Sequence, residues 1–525
     1  MKHAARWLLP VVLAFCAWPS NRSVQADKAT SAPARPNILW IGVDQLRFDT
    51  PSCNGNPICR TPSIDRLARA GVNFTNAYTT CCLCTPARAS MLTGLFAFKH
   101  GMGTNCDLYH ALARELPHPE MLLHHRLVRL GYRCGFAGKW HVGTEKGPAD
   151  YGFEGMNLPG YGDIVHDKGF QDYLKSKGLS YGTVKNPIFG NPNNKTLLAG
   201  IWDGPTESTT AYYLADYTID MLKKFAADGR PFFVDCQFWG PHPPYLPSPE
   251  FAGRHDRTSI KPWVNDADDL KGKSASVRRF RTDFYRSLPQ DWAGWREIVG
   301  LYYDYTYMID QQIGRLLDCL DRLGLTENTI VVLTADHGDM AGSHGLFDKG
   351  FMYQEAFRIP LIMRWPTKCP QAGKCDEFVY NMDIFPTILD ATGQADDKLD
   401  GKSFLPVLDG KALPNARDAI YLEFHGIRYL YSQRALVTRE GYKYIFNAGD
   451  FDEFYDLNKD PGELSNAIDS PEYCDVVAKL RDRIKAAAAQ SHDPIAYDIA
   501  KMFGDWQHLS GQHEAAAMIQ GQKGK

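Results

Sequence analysis

Residues 37–43, Asn-Ile-Leu-Trp-Ile-Gly-Val, form an almost unbroken apolar run that stops at Asp44-Gln45. A strand with one wet face would alternate apolar and polar positions. A continuous run predicts a strand covered on both faces, as in a parallel sheet. Two further runs repeat the arrangement. Pro231-Phe-Phe-Val234 leads to Gly240-Pro241-His242, and Thr329-Ile-Val-Val-Leu-Thr334 ends in Asp336-His337-Gly338-Asp339. In open α/β sheets ligands bind beyond the carboxyl ends of the strands, so these three polar termini are expected to converge although they are far apart in the chain.

Ile309, Ile313, Leu316, Leu317, Leu320 and Leu323 recur at helical spacing before Gly324, which predicts a packing helix. Ile64, Leu67 and Ala68 before Gly71 predict a shorter one. Both stripes read as core, not as binding faces. Strands alternating with helices imply an α/β fold, a large mainly parallel sheet flanked by helices. Near residue 400 the texture changes to short strands and turns, with Arg434 to Phe446 interrupted at Glu440-Gly441, followed by a helical stretch from Val476 to Ala489. A smaller C-terminal α+β domain is expected there. Residues 151–230 and 246–298 carry no clear period and read as irregular elaborations. The expected division is a signal peptide over 1–26, a catalytic domain over 33–400, the α+β subdomain over 401–510 and a polar tail over 511–525.

Composition adds boundary conditions. In 525 residues, 44% hydrophobic and 23% charged, there is ample material for a core. A net charge of -3 supplies no overall basic field, which argues against nucleic acid as a partner. Lys2 and Arg6 precede the apolar stretch Trp7 to Trp18, and Val24-Gln25-Ala26 offers small-residue processing, the pattern of a signal peptide. That stretch is short of the ~20 apolar residues a spanning helix needs, so no membrane span is expected and the product is expected to be exported, periplasmic or extracellular. Phe15 before Cys16 argues against a lipoprotein. Thirteen cysteines in an exported chain admit disulfides, with Cys369 and Cys375 or Cys53 and Cys59 closing short loops; buried thiols are the other reading.

The candidate chemistry sits in Cys84-Thr85-Pro86-Ala87-Arg88, followed by Ala89-Ser90-Met91-Leu92-Thr93-Gly94. Pro86 suits the first turn of a helix, which would put Cys84 at a helix N-terminus, where backbone donors and the dipole favour an anion. Taken alone, an isolated cysteine in an exported chain is better read as buried or bridged. Four other segments change that reading: Asp44-Gln45, Gly138-Lys139-Trp140-His141, Gly240-Pro241-His242-Pro243, and Asp336-His337-Gly338 with Lys349.

In order and character these five segments resemble the type I, formylglycine-dependent sulfatases of the alkaline phosphatase superfamily. Thr61 to Leu67, Asp383 to Thr387 and Phe454 to Glu463 extend the resemblance over nearly the whole mature chain. It implies an alkaline phosphatase-like fold and a sulfuric ester hydrolase. Cys84 would be oxidised to formylglycine (3-oxoalanine) by a maturation enzyme, and its hydrated aldehyde would attack sulfur. Asp44, Gln45, Asp336 and His337, with residue 84, would hold one divalent cation. Arg88 would steady the aldehyde and the metal ligands, Lys139 and Lys349 would contact sulfate oxygens, His141 would take the proton that releases sulfate, and His242 would protonate the leaving alcohol. His344 and His425 lie outside these motifs and read as ordinary core or surface histidines. Arg47 and Asp339 are near in sequence but stay outside the catalytic set.

The chain departs from the commonest family pattern at Gln45, where a second acidic residue is usual, and at His337, where asparagine is frequent. Calcium is what the resemblance implies; the lost charge and the softer imidazole make Mn2+ or Zn2+ the alternative. The same departures admit a phosphonate or phosphate monoester hydrolase. A third reading is a non-catalytic protein that binds sulfated glycans. Export favours a sulfated carbohydrate as substrate, with choline-like or aryl sulfates as alternatives. Tyr245, Trp263, Arg278, Arg279 and Trp292 read either as a sugar-binding rim or as local packing.

Overall fold

The computed structural model describes residues 35–502, apart from 118–121, 159, 161–163, 192, 194, 370–371, 397 and 428–430. The signal-peptide and tail expectations therefore lie outside the described residues. The three apolar runs are adjacent strands: β1 (Asn37–Asp44) lies between β7 (Phe232–Pro241) and β8 (Thr329–Thr334), parallel to both. Every residue of β1 and β8 is buried, which is why neither alternates. With β2 (Val72–Tyr78), β3 (Arg133–Lys139), β4 (Glu154–Leu158), β9 (Leu361–Arg364) and β10 (Gly373–Tyr380) they form an eight-stranded sheet in the order β10-β2-β9-β8-β1-β7-β3-β4. Only β9 runs antiparallel to its neighbours.

Register explains the convergence. Gly42 faces Thr334 across one ladder, and Gly138 faces Gln237 across another, so β1, β3, β7 and β8 end along one edge. A register shift between Val43 and Asp44 ends the β1–β7 ladder at Asp44 opposite Pro241.

A four-stranded antiparallel sheet follows, in the order β11 (Ala419–Phe424), β12 (Gln433–Thr438), β13 (Tyr442–Asn447), β14 (Glu453–Asp456). Glu440-Gly441 is the turn between β12 and β13. The helix Cys474–Gln490 buries Val477, Leu480, Ile484 and Ala488, one stripe at helical spacing. The mainly parallel sheet with a small α+β partner is the architecture expected. Among the described residues no helix is long and apolar enough to cross a membrane.

Three expectations need correction. Residues 151–230 are not irregular: they hold the hairpin β5 (Thr183–Asn191) and β6 (Thr196–Asp203) and a 19-residue helix, Thr210–Asp228, whose N-cap Thr209 accepts from the Tyr212 amide. Its buried residues, among them Ala211, Leu214, Ala215, Thr218, Leu222 and Phe225, follow helical spacing. The packing helix runs from Trp292 to Arg322, 31 residues, capped by Asp291 accepting from the Gly294 amide. Its first half buries Tyr302, Tyr303, Asp304 and Tyr305 in succession, so it lacks a single stripe and its start was illegible. Cys53, Cys59 and Cys375 are thiols, so neither short-loop disulfide is formed.

Candidate active site

Helix α1 (Cys84–Thr93) opens at Cys84 after the extended residue Leu83, and all ten of its residues are buried. Its first turn therefore enters the protein where the edge of the sheet ends. The Thr85 amide is taken by Asn105 Oδ1 at 3.0 Å, which pins that turn. Cys84 Sγ lies 3.2 Å from His337 Nε2 and 3.7 Å from Lys139 Nζ. Burial opposes ionisation of the thiol, but Lys139, Lys349 and His337 hold it well below the usual thiol range.

Arg88, one helical turn on, spans the two carboxylates. Its Nη2 is 3.2 Å from Asp44 Oδ2 and 3.0 Å from Asp336 Oδ2, and its Nε donates to Asp336 Oδ2 at 3.0 Å. Nη1 donates to the Lys139 carbonyl at 2.8 Å and to Gln237 Oε1 at 3.0 Å. Gln237 in turn donates to Asp235 Oδ1 at 2.6 Å. Gly42 is required beside it: a Cβ there would stand 2.0 Å from Gln237 Oε1. The glycine of Asp-His-Gly has a similar cause, since a Cβ at Gly338 would meet the Glu355 carbonyl at 1.9 Å.

Lys139 is wholly buried at the end of β3 and pairs with Asp44 Oδ2 at 2.5 Å. Burial would raise the Asp44 pKa, yet Lys139, His242 and Arg88 hold it well below the usual carboxylate range. Asp44 Oδ1, also buried, accepts no hydrogen bond among the described residues. Asp44, Cys84, Asp336 and His337 each offer a ligand atom, all within 4.8 Å of one another. His337 Nδ1 donates to the Gly338 carbonyl at 2.9 Å, which leaves Nε2 facing this cluster. Burial lowers the His337 pKa, but Asp336 and the Cys84 thiolate raise it more, to about 9. A buried carboxylate oxygen without a donor, a second carboxylate and an oriented imidazole fit a divalent cation.

Gln45 sits beside this cluster with φ 63°, a left-handed conformation unusual for a residue with a side chain. Its Oε1 accepts from Lys349 Nζ at 2.8 Å, while Nε2 donates to Asp339 Oδ2 at 2.7 Å and Asp348 Oδ1 at 3.2 Å. Asp339 also accepts from the Tyr245 hydroxyl at 2.5 Å, so it positions Gln45. Lys349 Nζ lies 2.6 Å from His242 Nε2. His141, at φ 52°, is buried, and its Nε2 is 3.1 Å from Asp107 Oδ1.

The ten residues given site roles from sequence thus meet in one place: Asp44, Gln45, Cys84, Arg88, Lys139, His141, His242, Asp336, His337 and Lys349. Arg47 is structural: it is buried, pairs with the half-buried Asp49 at 2.8 Å and donates to the Met340 carbonyl at 2.7 Å. His344 bonds Asp268 at 2.6 Å and Asn265 at 2.9 Å, and His425 lies 2.9 Å from Glu423, the ordinary roles expected. Tyr245 is fully buried, and Trp263 packs edge-on against Trp292 and under Arg47, so these three are local packing and not a rim. Asp107, Asp235 and Gln237 escaped sequence reasoning. Asp235 and Gln237 did leave a trace, two polar residues on the same face of an otherwise apolar strand.

Comparison with known proteins agrees with this geometry. Residues 36–394 match the sulfatase family model, and residues 342–490 match the model described as N-sulphoglucosamine sulphohydrolase, C-terminal. An N-acetylglucosamine-6-O-sulfatase of Bacteroides thetaiotaomicron is 26% identical, with 93% of this chain and 91% of the relative covered. An arylsulfatase of Clostridium perfringens is 28% identical, over 85% of this chain and 93% of the relative. A phosphonate monoester hydrolase of Agrobacterium radiobacter superposes with a TM-score of 0.71 at 24% identity, covering 87% of this chain and 96% of its own. The chain belongs to the sulfatase family of the alkaline phosphatase superfamily, the sulfuric ester hydrolases.

Proposed function

We propose that this protein is an exported hydrolase of sulfate monoesters whose nucleophile is formylglycine made from Cys84 by a maturation enzyme. The observation that carries the reading is the packing of Cys84 against His337 and Lys139, with Arg88 joining Asp44 to Asp336 behind it. Asp44, Asp336, His337 and residue 84, with Gln45 adjoining, would hold one divalent cation. Such an ion supplies positive charge for the sulfate oxygens and for the attacking group. Calcium suits the carboxylates; Mn2+ or Zn2+ is the alternative that the imidazole favours.

The chain's own groups account for the rest. Lys139 and Lys349 carry ammonium groups into a buried site, where they neutralise developing charge on sulfate oxygens. Arg88 fixes both carboxylates and thereby the site's spacing. Asp107 at Nε2 of His141 keeps the ring proton on that nitrogen and leaves Nδ1 basic, ready to take a proton from residue 84. His242, beside Lys349, protonates the leaving oxygen.

The relatives' names support two classes of alcohol, a sulfated carbohydrate and an aryl sulfate. Export to the periplasm or beyond agrees with the first. The test is sulfate release from both classes by protein coexpressed with a formylglycine-generating enzyme. Activity absent from Cys84→Ala is the expected result, and equal activity in that variant rejects the nucleophile. A phosphonate or phosphate monoester hydrolase is the second reading, favoured by His337 in the ligand cluster and Gln45 beside it. Faster turnover of phenyl phosphonate esters than of sulfate esters by one preparation would establish it.

A further inference from the structure

Beyond His242 the site opens into a cavity of about 520 Å³. It is continuous with the reacting groups. His242 and Trp239 line it, their ring centroids 4.6 Å apart, and Lys139 Nζ lies 5.4 Å from the Trp239 ring centroid. A leaving oxygen protonated by His242 would therefore carry its carbon skeleton into this chamber. The far walls come from the hairpin β5–β6 through Val184 and Trp202, from the long helix through Met308, and from the loop after β7 through Leu246.

The lining is apolar in a specific sense. Among the described residues lining it there is no Asp, Glu, Lys or Arg, and His242 is the single histidine. Its polar wall is Ser208, Thr209 and Thr210, and the first two hydroxyls are already committed. Ser208 Oγ accepts from Trp202 Nε1 at 3.0 Å and donates to the Pro205 carbonyl at 2.8 Å. The Thr209 hydroxyl donates to the Thr206 carbonyl at 2.6 Å and accepts from the Tyr212 amide at 3.3 Å. A polyhydroxylated or polyanionic ring placed here would lose water from several groups and find few partners. A hydrocarbon ring would lose nothing and gain contact with Trp239, Tyr305 and Met308.

We infer that this chamber is a leaving-group subsite for an apolar ring, so that the substrates turned over best are sulfate esters of alicyclic or aryl alcohols. The inference rests on the sulfate-ester reading, and of the two classes its relatives suggest it favours the hydrophobic one.

Cyclohexylmethyl sulfate and glucose 6-sulfate test it, because both are primary alkyl sulfates on a six-membered ring and differ mainly in polarity. With converted, metal-loaded protein, kcat/KM is expected to be at least about tenfold higher for the cyclohexyl ester. Leu246→Asp, and independently Val184→Asp in the hairpin, should remove that preference while leaving methyl sulfate, too short to reach the chamber, within about twofold of wild type. Equal or faster turnover of glucose 6-sulfate overturns the inference, as does a loss in both variants that is the same for all three esters. Cyclohexylmethanol binding, followed by tryptophan fluorescence, decides the subsite without turnover: saturable binding lost in the two variants supports it, and no binding rejects it. Absence of sulfate release from every ester would sink the sulfatase reading, with the alcohol still reporting on the chamber.

Discussion

The Lys349 ammonium lies 2.6 Å from Nε2 of His242, and the other ring nitrogen, Nδ1, donates to the Pro243 carbonyl at 2.7 Å. His242 is thus held neutral: burial lowers its pKa first, and Lys349 and Lys139 lower it further. An anion that draws Lys349 toward itself removes that bond and adds negative charge, both of which favour the protonated ring needed to release an alcohol. The pKa of His242, followed by NMR in metal-loaded protein, is expected to rise on adding sulfate and to rise without it in Lys349→Met. Unchanged titration in both experiments would separate the two residues. In Lys349→Met, kcat should fall by ~10²–10³, the usual effect of deleting one such charge-stabilising donor.

Lys139→Ala tests the cation and the lysine together. The side chain is paired with Asp44 at 2.5 Å in a fully buried site, and breaking such a pair costs ~3 kcal/mol or more when the partner is left uncompensated. Arg88 still faces Asp44, and a bound cation would compensate it further. Turnover should therefore vanish, while the loss of stability is larger with chelator than with metal. Denaturant unfolding of both forms measures this; equal losses would mean that Asp44 does not share its charge with a metal.

The groups proposed to act in catalysis are legible because each has a local signal. Asp44, His242 and Asp336 follow apolar runs that announce strand ends, and Cys84 to Arg88 is a compact motif. The groups that hold them are not. Asp107 meets His141 from 34 positions away, and Gln237 meets Arg88 from 149 positions away, contacts set by the order of strands in the sheet and invisible to any window of sequence. The hairpin at residues 183–203 is hidden in the sequence for a related reason. Its apolar positions Val184, Leu197 and Trp202 face a cavity, so they do not alternate as a strand over the main core would.

Asp107 supplies a prediction of its own. It is 38% exposed, so its bond to His141 is partly wet and its removal should not unfold the protein. Asp107→Asn keeps the shape but weakens the preference for a proton on Nε2. We expect kcat to drop by ~10-fold with KM for a sulfate ester nearly unchanged, and the pH profile of kcat to shift. A variant with wild-type kcat and profile would make the contact incidental.

Asp235 provides the pH dependence of the fold itself. Burial pushes its pKa up to about 7, against the smaller opposing effects of Gln237 and Arg88. The value lies above the unfolded value of 3.8, so the folded chain keeps a proton that the unfolded chain has lost between those limits. The contribution of this group to stability is therefore complete below about pH 4 and disappears as pH rises through about 7, a change of at most about 4 kcal/mol. Asp235→Asn retains an acceptor for Gln237 Nε2, which Asp235 binds at 2.6 Å, and cannot ionise. Thermal unfolding compared at pH 5 and pH 8 should show the variant equal to or below wild type at the lower pH and above it at the higher. A variant destabilised equally at both would mean that Asp235 is ionised throughout, paired with Arg88 through Gln237.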